Sequence, residues 1–277
     1  PLTEIAPGLM RCDTGYLRAG HTACYLLTHG GRAAIIDTGV GASVPGILDA
    51  LSRQDIPRHA VDWVIPTHVH LDHAGGAGAL MQALPSARLG IHPSGAEHMA
   101  DPSRLEAGVR ALYGDEFFDR EYAPLTPVAR ERMVTLDDGE TLFVGQRPLE
   151  MLHTPGHAWH HLSVFDVESA VLIAGDAFGA SYPGYIQQRS LFMVPVVPPP
   201  QFSPAAYRAT LARIVALAPR AVAPAHFPII DRVDAAASLL EAMLDAAIEW
   251  TWQAASAADL NQRLLDGWCR WLPSDAT

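Results

Sequence analysis

The chain has 277 residues, of which 49% are hydrophobic and 18% charged, so it can bury a sizeable core and has a globular composition. No segment approaches the roughly 18 unbroken apolar residues of a membrane span, and the formal net charge of -11 disfavours a nucleic-acid partner, whose phosphates need clustered lysine and arginine. We therefore expect a small-molecule substrate, with neither nucleic acid nor membrane as a partner.

The chain start and the cysteines carry little functional signal. The segment Pro1-Leu2-Thr3-Glu4 has no charged stretch followed by an apolar one, so it does not resemble a secretion signal and predicts a cytoplasmic protein. Whether a leader was removed before Pro1 stays open. Cys12, Cys24 and Cys269 form no C-x-x-C pair, which favours ordinary thiols over a disulfide framework or a thiolate metal site.

The first part of the chain alternates strand and helix patterns. Apolar runs on both sides of His29-Gly30-Gly31 predict a buried hairpin, and two later apolar runs lead into helical spacings. The segment of about 100–130 mixes amphipathic stretches with prolines, which favours an inserted cap over the core. The predicted strands are 23–27, 33–36, 61–66 and 88–92, and the predicted helices are 44–51 and 75–84.

The second part begins sheet-rich and ends helical. Short apolar runs separated by turn residues predict strands at 133–136, 141–144, 149–152, 161–166, 171–174 and 221–225. The proline-rich stretch 194–200 predicts an extended connector, and Ser203-Pro204 predicts the start of a helix that ends near residue 217. Helical composition follows at 231–252 and 257–268.

These patterns predict an α/β fold in which two sheets pack together and helices cover the outside. We interpret residues 1–230 as one catalytic domain, with the cap inserted in it, and residues 231–277 as a C-terminal helical extension of the same domain. The extension is interpreted as a dimer contact or as a cover over the site, so a homodimer is one expected assembly.

The densest cluster of polar residues follows the strand predicted at 61–66. Three histidines and an aspartate occupy the loop of His68, His70, Asp72 and His73. In an extended chain alternate side chains share a face, so His68 and His70 point to one ion, and the turn at Asp72-His73 directs the next pair to a second. One loop is therefore expected to supply ligands to two metal ions.

A zinc site needs three protein ligands and an open position, so this loop cannot complete either site. Further candidates follow other predicted strands: His157 in His153-Thr154-Pro155-Gly156-His157, Asp176 after Ala174-Gly175, and His226 after Ala225. We expect all three to reach the same edge of the fold. The resulting set of predicted metal ligands is His68, His70, Asp72, His73, His157, Asp176 and His226.

The motifs H-x-H-x-D-H, T-P-G-H, G-D and A-H, in this order, resemble the metallo-β-lactamase superfamily over roughly Ala23 to Phe227. The resemblance implies a four-layer αββα sandwich, here with a C-terminal helical extension, and two divalent ions, with zinc expected and iron or manganese as alternatives. It places His68, His70 and His157 on one metal, Asp72, His73 and His226 on the second, and Asp176 between them.

The motif H-T-P-G-H-A, followed by H-H-L-S, resembles the glyoxalase II-like and lactonase-like branch of this superfamily. This resemblance implies a hydrolase. A hydroxide held by the two metals would cleave an ester, thioester or lactone, and Asp72 would have the catalytic role of anchoring and orienting it. We expect the stretch 178–202 to line the substrate pocket, and its apolar character favours such substrates over a polyanion. Asp37 is interpreted equally as a residue that orients a ligand or as a turn residue.

Several residues near these motifs are open to more than one interpretation. Candidates for protonating the leaving group are His160, Tyr182 and Tyr185. The remaining histidines are interpreted as ordinary residues: His21, His29, His59, His92, His98, His153 and His161. Two other functions stay open: a persulfide dioxygenase with one iron at His68, His157 and Asp176, and a metal-stabilised binding protein without turnover. The sequence does not identify the substrate.

Overall fold

The computed structural model describes residues 2–181, 192–198 and 201–269. The first of its two sheets runs in chain order: β1 (Leu2–Ala6), β2 (Leu9–Asp13), β3 (Ala23–His29), β4 (Arg32–Ile36), β5 (Val61–Ile65), β6 (Arg88–Ile91) and β7 (Met133–Thr135). Strands β1 to β4 pair antiparallel, and β4 to β7 pair parallel.

The second sheet is built from the second half of the chain. Its strands are β8 (Thr141–Val144), β9 (Arg147–His153), β10 (Leu162–Asp166), β11 (Val171–Gly175) and β12 (Ala221–Pro224), in the spatial order β12-β11-β10-β9-β8. The pairs from β8 to β11 are antiparallel, and β11 pairs with β12 in parallel.

Helices connect the strands and close the outer faces. They are α1 (Val44–Arg53), α2 (Leu71–Ala74), α3 (Ala77–Ala83), α4 (Ala96–Ala100), α5 (Ser103–Tyr113), α6 (Asp115–Glu121), α7 (Pro204–Leu217), α8 (Val233–Gln253) and α9 (Ala257–Cys269). Ser203 caps α7 as its sequence predicts, because its hydroxyl accepts a hydrogen bond from the Ala206 amide at 3.4 Å. None of these helices, over the part of the chain described, is both long and apolar enough to cross a bilayer.

Side chains that point alternately to the two faces of each sheet produce the layers of the fold. Tyr25 and Leu27 of β3 point to the space between the sheets, where they share one core with Val164 of β10 and Ile173 of β11. The opposite face of the first sheet packs on α1 and α3, and the opposite face of the second sheet packs on α7 and α8. The result is the four-layer αββα sandwich with a helical C-terminal extension that the sequence predicts.

The main differences from the predicted elements lie at the N-terminus and around residue 72. Strands β1 and β2 were not predicted, and Asp72 and His73 lie in the short helix α2 rather than in an open turn. The segment 100–130 contains α5 and α6, consistent with helices lying outside the sheets. The division at residue 230 stays a prediction, and residues 270–277 of the expected extension lie outside the described part.

Strands of both sheets end at one edge. Asp37 follows β4, Thr67 follows β5, Asp176 follows β11 and Ala225 follows β12. Three backbone hydrogen bonds join these ends: the Asp37 amide to the Ile65 carbonyl, Leu162 to Thr67, and Ala225 to Gly175. The edge therefore brings together residues that lie far apart in the chain.

Candidate metal centre

The first cluster of side chains joins the loop after β5 to the loop after β9. The Nε2 atoms of His68 and His157 each lie 2.9 Å from Nδ1 of His70. Three imidazole nitrogens therefore converge on one point, and their spacing suits a shared metal ion. These are the three histidines that the family resemblance assigns to the first metal.

The second cluster contains the other three residues of the predicted pair of sites. Nε2 of His73 lies 3.4 Å from Oδ2 of Asp72, and Nε2 of His226 lies 3.5 Å from the same oxygen. The ligand atoms lie within 4.8 Å of one another. His73 is fully buried, His226 is 5% exposed, and the Asp72 side chain is 23% exposed.

Asp176 lies between the two clusters and divides its oxygens between them. Oδ2 lies 3.4 Å from Nε2 of His157 and 4.0 Å from Nε2 of His68. Oδ1 lies 3.4 Å from Nε2 of both His73 and His226. This is the placement expected of a carboxylate that bridges two metal ions.

The backbone before Asp176 is held in a conformation that only glycine adopts easily. Gly175 has a φ of +49°, and a Cβ atom there would lie 2.6 Å from Oγ1 of Thr67 and 2.7 Å from Nε2 of His161. His161 accepts a hydrogen bond from the Asp176 amide at 3.1 Å, so its hydrogen is on Nδ1 and is donated to Thr154 at 2.8 Å. His161, interpreted from the sequence as ordinary, thus fixes the backbone of Asp176.

Three of the converging rings are oriented through their other nitrogen. Nδ1 of His73 donates to Oδ2 of Asp37 at 3.0 Å, and Nδ1 of His157 donates to the Val196 carbonyl at 3.0 Å. Nδ1 of His226 donates to the His21 carbonyl at 2.8 Å. Because these acceptors cannot donate, they fix a hydrogen on Nδ1 and leave Nε2 as the nitrogen that faces the centre, the atom through which each ring would bind a metal ion.

Asp37 connects this arrangement to His68 as well. Its Oδ1 accepts from the Thr67 amide at 2.7 Å and from the Thr67 hydroxyl at 2.9 Å. Since the hydroxyl donates to Asp37, it accepts from Nδ1 of His68 at 3.1 Å, which again leaves Nε2 for the centre. Of the two interpretations of Asp37, these contacts support the orienting one.

The first cluster is built from neutral imidazoles. Burial and the neighbouring histidines lower the pKa of His68 well below its usual value, and they lower that of His70 to about 3. Burial also lowers the pKa of His157. At neutral pH these rings are uncharged and carry the lone pairs that a metal ion binds.

The second cluster is built around positive charge. Burial alone disfavours the charged forms, but the carboxylates of Asp72 and Asp176 outweigh it and raise the pKa of His73 well above its usual value. Burial would raise the pKa values of Asp72 and Asp176, but the charge of His73 outweighs this effect and lowers both pKa values below those of ordinary aspartates. A divalent cation would supply the same compensation to these two carboxylates.

Two buried atoms at the centre have no hydrogen-bond partner among the described residues: Nε2 of His73 and Oδ1 of Asp176. Buried polar atoms almost always have a hydrogen-bond partner. These two atoms lie 3.4 Å apart, and they belong to an imidazole and a carboxylate, which are both ligands that suit zinc or iron. The donor set therefore fits two divalent metal ions, one in each cluster.

The other sequence candidates have mixed outcomes. His160 is 4% exposed and stacks 6.2 Å from His68, close to the centre, whereas Tyr182 and Tyr185 lie outside the described residues. The expected pocket stretch 178–202 is described only in part, and its Phe178 and Met193 pack in the core under α7 and α8, so their assignment to a pocket wall is wrong.

His21 was also missed. Its ring lies 5.5 Å from that of His226, beside Tyr16. A histidine next to a threonine before β3 gave no signal in the sequence, because the contact with His226 spans about two hundred residues and depends on the fold. His29, exposed His59 and the stacked pair His92 and His153 lie outside both clusters, as expected.

Known proteins share these features. A family model described as the metallo-beta-lactamase superfamily matches residues 17–226. The metallo-beta-lactamase fold-containing protein ST1585 of Sulfurisphaera tokodaii is 26% identical over 198 residues, which cover 69% of this chain and 67% of that protein. Human acyl-coenzyme A thioesterase MBLAC2 is 27% identical over 188 residues, which cover 62% and 64%.

Among solved structures, the metallo-beta-lactamase family protein TTHA1429 from Thermus thermophilus superposes with a TM-score of 0.68 at 25% identity, over 89% of this chain and 82% of that one. The chain spans about two thirds of the length of the two curated relatives described above.

Proposed function

The chain belongs to the metallo-beta-lactamase superfamily, and from that premise we propose that it is a two-metal hydrolase of esters, thioesters or lactones. One observation carries the proposal: Asp176 places one carboxylate oxygen against each of two clusters of ligand atoms. A purely structural metal site has no need of this shared carboxylate, whereas two adjacent ions act together on one substrate. We propose zinc for both positions, with iron or manganese as alternatives.

Each group in the centre has a defined part in hydrolysis. Two divalent ions, when bound, make water acidic enough to be ionised near neutral pH and polarise the oxygen of the substrate. Asp72, the most exposed carboxylate of the set, accepts a hydrogen bond from the attacking water and orients it. Asp37 and His161 keep His73 and Asp176 in place, which preserves this geometry through turnover.

An acyl substrate is favoured by one of the relatives of the chain, which is described as an acyl-coenzyme A thioesterase. The similarity to a human acyl-coenzyme A thioesterase makes acyl thioesters the first compounds to assay.

The direct test is turnover by zinc-loaded protein on 4-nitrophenyl acetate, butyryl-coenzyme A and a δ-lactone. We expect hydrolysis of at least one of them, reduced about 1,000-fold or more in Asp176→Ala, because the variant loses the carboxylate that joins the clusters. His59→Ala changes an exposed histidine outside both clusters and is the matched control, which should keep full activity.

Two results contradict the hydrolase. Protein that holds two metal ions and turns over none of the three compounds favours the binding protein. Protein that holds one iron and consumes oxygen with glutathione persulfide favours the dioxygenase, whose ligands would be His68, His157 and Asp176. The second cluster of Asp72, His73 and His226 would have no role in a dioxygenase with one iron, so we favour the hydrolase over the dioxygenase.

We further propose a cytoplasmic location and a small-molecule substrate as the only partner apart from a second copy of the chain.

A further inference from the structure

The open side of the metal centre adjoins the cap segment. His70 and Asp72 are the two candidate ligands that are half-buried, whereas the other five are buried, and they lie on either side of Leu71. The Asp72 side chain is 23% exposed, whereas that of Asp176 is 3% exposed. The more exposed side of the centre is therefore the side at Leu71.

Two tyrosines pack on Leu71 at this opening. Tyr16, in the loop between β2 and β3, and Tyr122, directly after α6, share a small core with it and are 6% and 8% exposed. Their hydroxyl oxygens lie 2.5 Å apart. Only one hydroxyl hydrogen fits between the two oxygens, so the other is left to donate elsewhere, and the described residues offer it no acceptor.

Of the two tyrosines, Tyr16 is the one whose described ring contacts lead to a candidate metal ligand. Its ring lies 5.6 Å from that of His21, which in turn lies 5.5 Å from that of His226. The described ring contacts of Tyr122 are with Tyr16, Phe117 and Phe118. When Tyr122 donates to Tyr16, the hydrogen of Tyr16 is the one available to a molecule at the centre.

Both hydroxyls stay protonated at neutral pH, as donors must. Burial, together with the charge of Asp72, raises the pKa of Tyr16 to about 12. The same causes, with the hydrogen bond between the two hydroxyls, raise the pKa of Tyr122 further.

We propose that Tyr16 donates a hydrogen bond to the substrate oxygen that becomes negative during acyl hydrolysis, and that Tyr122 is a positioning residue that aims this donor. The proposal rests on the proposed hydrolase function. As the water oxygen bonds to the carbonyl carbon, the carbonyl electron pair moves to its oxygen and Tyr16 donates to it. When the bond to the leaving group breaks, the pair returns to the carbonyl; the proton on the leaving group comes from water, and Tyr16 keeps its own.

The test compares Tyr16→Phe, Tyr122→Phe, the double variant and Tyr113→Phe, all zinc-loaded. Tyr113 is an exposed tyrosine of the same cap segment and is the matched control. Turnover is measured with 4-nitrophenyl acetate, and binding is measured calorimetrically with 4-nitrophenyl methylphosphonate, whose tetrahedral anion resembles the charged stage of the reaction. Metal content is measured for every variant.

We expect Tyr16→Phe to lower kcat about 100-fold with little change in KM, as removal of one donor to an oxyanion does, and to weaken phosphonate binding at least about 10-fold. Tyr122→Phe should cost about 10-fold in kcat, and the double variant should match Tyr16→Phe, because Tyr122 acts through Tyr16. Tyr113→Phe and all metal contents should match the wild type.

Unchanged kcat and unchanged phosphonate affinity in Tyr16→Phe would overturn the donor role and leave the hydrolase intact. Equal losses for ester turnover and metal content would overturn it too, since they indicate a structural role. Wild-type protein that neither hydrolyses the ester nor binds the phosphonate contradicts the hydrolase proposal itself, and the donor role with it.

Discussion

Asp37 accepts hydrogen bonds from three donors at the two ends of the ligand loop: the amide and hydroxyl of Thr67, and Nδ1 of His73. It is 1% exposed and has a φ of +58°, a backbone conformation that is uncommon for a residue with a side chain. A strained, buried carboxylate is retained where its hydrogen bonds matter. Asp37 thus controls the orientation of His73 directly and that of His68 through Thr67.

This contact predicts that Asp37→Asn weakens metal binding without unfolding the protein. The amide can accept only through its single oxygen and cannot neutralise a cationic neighbour, so we expect about a 10- to 100-fold loss in zinc affinity, as is typical for partners of ligating histidines. Competition with a fluorescent zinc chelator measures it. Asp62→Asn, in a partly exposed ion pair with Arg32, is the control, and equal affinities in the two variants would refute the role of Asp37.

Gly175 gives a second prediction at this scale. In Gly175→Ala the new methyl group meets Thr67 and His161 at under 3 Å in a left-handed backbone, so we expect a loss of about 2 kcal/mol or more in the free energy of unfolding and a loss of bound metal. Gly46→Ala, in α1 with open space around it, should instead gain up to about 1 kcal/mol. Urea unfolding of both variants decides; equal effects would contradict the steric argument.

The sequence indicates the candidate metal ligands more clearly than the residues that orient them. The residues from His68 to His73 stand out because several polar side chains in one short loop after an apolar strand have few purposes other than metal binding. Asp37, His161 and Tyr16 carry no such local signal. Their roles come from contacts across 36, 15 and 106 positions of the chain, with His73, Asp176 and Tyr122, and only the fold makes those contacts.

At the scale of elements, strands β9 and β10 are joined by a buried ion pair between Arg147 and Asp166, which are 2% and 0% exposed. Arg147 also donates to the Pro7 carbonyl at 2.7 Å, which ties the turn between β1 and β2 to the second sheet. A paired charge inside a core is costly to break, because the remaining partner stays buried without compensation.

Arg147→Met should therefore lower the free energy of unfolding by about 3–5 kcal/mol, and Arg147→Met with Asp166→Leu should recover much of that loss. Arg32→Met removes a partner of the more exposed pair with Asp62 and should cost under about 1 kcal/mol. Urea denaturation at neutral pH measures all three. A double variant less stable than Arg147→Met would contradict this account of the pair.

The predicted elements agree well with the structure where apolar periodicity is strong, as in β3, β5 and α7. Strands β1 and β2 were missed because neither has a clear alternation of buried and exposed residues. In β1, an edge strand, Thr3 and Glu4 are exposed and only Ala6 is buried, and in β2 only Leu9 and Cys12 are buried. The change from antiparallel to parallel pairing at β4 was also not readable, because strand partners are chosen by long-range packing rather than by the sequence of either strand.

At the scale of the whole molecule, the sandwich brings the ends of strands from both sheets to one edge, and the metal centre spans the two halves of the chain. His68 and His73 come from the first sheet, and His157, Asp176 and His226 come from the second. A bound metal ion would therefore join the halves. We propose that the two clusters on either side of Asp176 each hold one metal ion.

Elemental analysis of protein purified without added metal tests this claim most directly. We predict about two zinc or other divalent ions per chain, falling to one or none in His68→Ala and Asp176→Ala while His59→Ala keeps two. A single iron per chain in the wild type, or full metal content in Asp176→Ala, would contradict it.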